Sequence, residues 1–69
     1  MEGYYVNRNQ QRSGDYEVHK GNCYWLSLVT DSLFLGYFTN CQDAVALASA
    51  FGYTPSNGCV HCCRACHTG

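Results

Sequence analysis

The sequence predicts an α+β domain: a three-stranded antiparallel sheet, one helix packed on one face, and a Cys/His-rich C-terminal tail. Three observations predict it. Apolar and polar residues alternate in the first part of the chain, as in half-buried strands. An apolar stripe with helical spacing, preceded by capping residues, runs to Phe51. Four cysteines then fall within the eight residues Cys59 to Cys66.

Tyr4 to Asn7 has strand character, and Tyr16-Glu17-Val18-His19 alternates apolar with polar. Between them lies a polar stretch ending in Ser13-Gly14-Asp15, which is turn chemistry because glycine accepts a positive φ. The two segments are expected to form a hairpin. Gly21-Asn22 breaks the second strand, and the apolar segment Cys23 to Val29 carries the only tryptophan. After the turn Thr30-Asp31-Ser32, Leu33 to Phe38 reads as the third strand. Gly36 in its middle suggests a bulge or a close backbone approach.

The helix spans about Cys41 to Phe51. Thr39 and Gln42 match a capping box, with Asn40 as the alternative cap, and Asp43 places a negative charge in the first turn. Ala44, Leu47, Ala48 and Phe51 form one stripe, which makes Leu47 and Phe51 core residues. Gly52 closes the helix, and Pro55 with Ser56-Asn57-Gly58 turns the chain into the tail.

With 69 residues, the chain is a single domain, residues 1–69. A core of this size leaves only about 3–5 kcal/mol of net stability, so a metal, disulfides or a partner is expected to support it. The 46% apolar and 13% charged composition is that of a folded chain. A net charge of −1, with Arg8, Arg12, Lys20 and Arg64 scattered, leaves no electrostatic footprint for nucleic acid. The apolar stretches Trp25 to Val29 and Ala44 to Phe51 are too short to span a bilayer, so no membrane partner is expected. Met1-Glu2-Gly3-Tyr4 lacks the basic and apolar regions of a signal peptide, which predicts a cytoplasmic protein.

In a reducing compartment clustered cysteines read as metal ligands rather than a disulfide framework. Cys59-x-x-Cys62 can place two sulfurs on one ion. Two sets complete a zinc site. The local set is Cys59, Cys62, Cys66 and His67; the remote set replaces the last two with His19 and Cys23, spaced His-x3-Cys where a strand breaks. The local set is adopted as the expected ligands of a structural zinc. Among the alternatives, Cys41 reads as a small buried thiol, and Cys23–Cys41 plus a pair within the tail would serve as disulfide staples. Adjacent Cys62 and Cys63 are poorly placed to bond each other. Glu17 and His19 share a strand face, either as exposed polar residues or with Glu17 orienting His19 as a ligand.

Gly14-Asp15-Tyr16-Glu17-Val18-His19, then Cys23, Leu35-Gly36, Cys41, Gly58-Cys59 through Cys62 and Cys66-His67, resemble in their order a family of small, uncharacterised bacterial Cys/His-rich proteins. The resemblance covers the chain from about Gly14 onward, Cys63 being the element that departs from the pattern, and implies a bacterial, cytoplasmic origin but no activity. The expected function is that of a zinc-stabilised, non-enzymatic module acting on a protein partner or by self-association. Tyr4, Tyr5, Tyr16, Tyr24, Trp25, Phe34, Tyr37 and Phe38 could supply the surface, on the sheet face the helix leaves uncovered. The alternatives are a disulfide-stapled binding domain or a thiol-based redox or catalytic protein, with Cys41 at a helix N-terminus as nucleophile and His19 as base.

Overall fold

The computed structural model describes residues 1–68. Its strands are β1 (Glu2–Asn7), β2 (Tyr16–Lys20), β3 (Ser32–Phe38) and β4 (Ser56–Gly58), and its α-helix is α1 (Cys41–Ala50). Two short 3₁₀ segments, Tyr24–Leu28 and Arg64–Cys66, follow β2 and β4 respectively in the layout of the chain around the sheet. The α+β class is as expected, but the sheet has four strands in the order β3-β1-β2-β4 rather than three.

β1 and β2 form the expected hairpin, with Tyr4 opposite Lys20, Tyr5 opposite His19 and Val6 opposite Val18. The connection is closed by Gln11 N–H donating to Asp15 O and by Gly14 N–H donating to Gln11 O, with Gly14 at φ 93°. β3 pairs antiparallel with the other edge of β1, and its register shifts between Tyr4 and Tyr5, which face Gly36 and Phe34. Leu35 is the extra residue, and Gly36 takes φ 126°, which a side chain would resist. The bulge changes which residues face inward. Leu33, Leu35 and Phe38 pack toward the helix side, while Phe34 and Tyr37 pack together on the other face with Tyr5.

Ser56-Asn57-Gly58, read from the sequence as a turn, is instead a short fourth strand. It runs parallel to β2, with Tyr16 opposite Ser56, Glu17 opposite Asn57 and Val18 opposite Gly58. Asn57 ties it further by donating from Nδ2 to Asp15 Oδ2 at 2.7 Å and accepting at Oδ1 from Thr68 N–H at 2.8 Å.

Asn40, not Thr39, caps α1: its Oδ1 accepts from Asp43 N–H at 2.9 Å. At the other end Gly52 N–H donates to Ser49 O and Tyr53 N–H to Ala48 O, the paired bonds of a Schellman motif, with Gly52 at φ 100°. The buried stripe of α1 is Cys41, Ala44 and Ala48. These small residues bring the helix axis close to Tyr4, Val6, Val18 and Leu35. That close approach displaces larger side chains to the flanks. Leu47 is therefore only half-buried, and Phe51, expected in the core, is 56% exposed.

Candidate metal centre

β2 and β4 position the centre. Continuing their parallel register beyond Val18 and Gly58 sets His19 beside Cys59, and Cys59 N–H donates to Val18 O at 2.9 Å. Gly21-Asn22 then folds the chain back, with Cys23 N–H donating to Lys20 O, so that Cys23 returns to the end of the strand it has just left. Cys63 N–H donates to Cys59 O at 2.8 Å and closes the tight turn holding Cys59 and Cys62. Lys20 N–H donates to Cys62 Sγ at 3.2 Å, the kind of backbone support a thiolate accepts well.

The four ligand atoms of His19, Cys23, Cys59 and Cys62 all lie within 4.8 Å of one another. Cys23 Sγ and Cys59 Sγ are 4.0 Å apart. A tetrahedral zinc with Zn–S bonds of about 2.3 Å requires sulfurs about 3.8 Å apart, close to this spacing. His19 is 1% exposed, and among the described residues neither ring nitrogen has a hydrogen-bond partner, although Nε2 lies 3.0 Å from Glu17 Oε1. A buried imidazole left so costs about 1–3 kcal/mol, which metal coordination would offset. Burial, opposed by the Glu17 carboxylate, lowers the His19 pKa and favours the neutral ring that ligates metals. Burial also pushes up the Cys62 and Cys63 thiols. At Cys23 burial acts in the same direction, but hydrogen bonds from Cys62 and from Trp25 and Leu26 N–H outweigh it and lower the pKa.

Of the expected local ligands, Cys59 and Cys62 stand in this cluster. Cys66 and His67 stand outside it: Cys66 is bonded to Cys41 in a disulfide spanning 25 positions, and His67 Nδ1 lies 3.0 Å from Gly58 O. The rival pair, His19 and Cys23, completes the group. Cys41 is thus neither a free core thiol nor the partner of Cys23, and its sulfur is engaged with Cys66 rather than poised beside His19 as a nucleophile. Cys63 takes the role of free buried thiol, 3% exposed and 3.7 Å from Cys62 Sγ.

The segments that supply this cluster also carry exposed apolar side chains. Tyr24, Trp25 and Leu28 follow Cys23, and Val60 lies between Cys59 and Cys62; they are 68%, 43%, 57% and 42% exposed. Trp25 stacks on His61 with centroids 4.8 Å apart and planes 22° from parallel. Among the described residues no helix is long and apolar enough to cross a membrane. No protein-family model, curated protein or solved structure matches the chain.

Proposed function

We propose that the chain is a small zinc-stabilised module that acts by binding another protein or a second copy of itself. The observation supporting it is the convergence of His19, Cys23, Cys59 and Cys62, with His19 buried and unpartnered. Three sulfurs and one imidazole suit zinc, and four protein ligands leave no open position for water, so the role of the metal is structural. The ion would join the Cys23 segment to the Cys59–Cys62 turn. It would thereby hold the segment carrying Tyr24, Trp25 and Leu28 to the turn carrying Val60 and His61, where Trp25 stacks on His61, and these exposed apolar side chains favour a protein partner over a catalytic role. The Cys41–Cys66 disulfide favours a combined design in which a covalent staple and a metal staple secure opposite ends of the tail.

Native mass spectrometry of protein purified without added metal tests the proposal. One zinc per chain is expected, and cobalt substitution should give the absorption of a tetrahedral three-sulfur, one-nitrogen site. Removal of zinc by a chelator should lower the unfolding midpoint sharply, because binding free energy is folding free energy at such a site. A metal-free chain with Cys23, Cys59 and Cys62 oxidised would overturn it.

A further inference from the structure

Glu17 lies on the same strand face as His19, two positions before it, and its carboxylate reaches to 3.0 Å of His19 Nε2, a short contact not aligned as a hydrogen bond. Among the described residues this imidazole is the only basic group within 4 Å of the Glu17 carboxylate; the other ion pair, Arg8 with Asp31, lies elsewhere. Glu17 is also partly shielded, at 23% side-chain exposure, so its oxygen faces the ring from a site where water competes less than at an open surface. It is not itself one of the converging ligands.

We propose that Glu17 is the positioning residue of the metal centre: it accepts the Nε2 proton of His19 and leaves Nδ1 as the metal-binding nitrogen. The inference rests on reading the cluster as a metal site. A neutral imidazole carries one N–H and one lone pair. The nitrogen beside a carboxylate oxygen takes the proton, because only an N–H is stabilised there; a lone pair at 3.0 Å from that oxygen would be repelled. The metal must then use the opposite nitrogen, Nδ1, which is buried and, like Nε2, has no hydrogen-bond partner among the described residues. Metal on Nδ1 would fix the ring plane, and a small turn of the ring or of the Glu17 carboxylate then brings the Nε2 proton into line with Glu17. Carboxylates that hold ligand histidines in this way raise ligand basicity and typically contribute 10–100-fold in metal affinity.

The test uses the full chain with ¹⁵N-labelled histidine, loaded with zinc. Long-range ¹H–¹⁵N spectra should show His19 protonated at Nε2 and metal-bound at Nδ1. Competition with a chromophoric chelator should show Glu17→Ala binding zinc about 10–100-fold more weakly. Glu17→Gln should recover part of that loss, because its amide oxygen still accepts the Nε2 proton while a purely charge-based effect would not be rescued. Zinc on Nε2 in the wild type, or wild-type affinity in Glu17→Ala, would overturn the role of Glu17 while leaving the metal centre standing. Failure of the wild-type chain to bind zinc at all would overturn both.

Discussion

Replacing Gly58 with alanine tests how tightly the tail is folded over the sheet. A Cβ at this position would lie 2.6 Å from Cys63 O and 2.7 Å from Cys66 Cβ, where ordinary contacts begin at 3.4 Å. Neither neighbour can swing away as the tip of a long side chain could. Cys63 O accepts from Cys66 N–H, and Cys66 is bonded to Cys41 at the start of α1. The methyl group must therefore displace the whole turn carrying Cys59 and Cys62. Overpacking of this kind costs about 1–3 kcal/mol. For a domain of this size each kcal/mol lowers the midpoint by about 4–8 °C, so a fall of about 4–24 °C is expected in thermal unfolding followed by circular dichroism. Zinc affinity should fall with it, since the displaced turn carries Cys59 and Cys62, two of the proposed ligands. Gly52→Ala is the control. It meets nothing within 4 Å but sits at φ 100°, so its cost is conformational, about 1–2 kcal/mol, and should leave zinc affinity unchanged. A loss below about 0.5 kcal/mol for Gly58→Ala, the range of ordinary surface changes, would refute the close approach of tail and strand.

Cys59→Ser should reproduce in one substitution the destabilisation caused by chelation, and adding chelator to that variant should lower its urea midpoint no further. Removing the Cys41–Cys66 link by the double change Cys41→Ser and Cys66→Ser should cost about 3–4 kcal/mol by loop-closure entropy over its 25-position span, read from denaturant unfolding with zinc present. Phe51→Ala should change stability by about 0.5 kcal/mol or less, whereas Ala48→Leu, at a fully buried contact with the sheet, should cost about 1–3 kcal/mol. Hydrogen bonds from Ser13 and Asn57 hold the Asp15 carboxyl below its ordinary pKa of 3.8. Its contribution is therefore complete above that value and lost as pH falls through the lower folded value, so wild type should lose stability more steeply than Asp15→Asn on acidification.

Local patterns announced most of the frame. The β1–β2 hairpin, β3 with a bulge at Gly36, and the span of α1 closed by Gly52 all carry their signals within a few residues. What stayed hidden depends on tertiary contact. Ser56-Asn57-Gly58 has turn chemistry, and it becomes a strand only because β2 offers a free edge and Asp15 and Thr68 hold Asn57. Phe51 matches the helical period, yet Ala44 and Ala48 let the sheet come so near that the bulky end of the stripe is left outside. At the site, Cys59 and Cys62 stand out by spacing alone. Choosing between Cys66 with His67 and His19 with Cys23 required knowing that a parallel strand would carry the turn to the end of β2. Nothing in the spacing of Cys41 and Cys66 marks them as a bonded pair.

The parallel pairing of β4 with β2 has a consequence for the order of assembly. Cys23 and Cys59 are 36 positions apart, and everything between them must be made before they can meet. Closing a loop of that length carries an entropic penalty on the order of 3 kcal/mol, which no contact within the early hairpin can offset. During synthesis from the ribosome, His19 and Cys23 emerge while their partners are still untranslated. A metal at the proposed site would therefore bind late, once β4 has paired with β2 and brought Cys59 and Cys62 to His19 and Cys23.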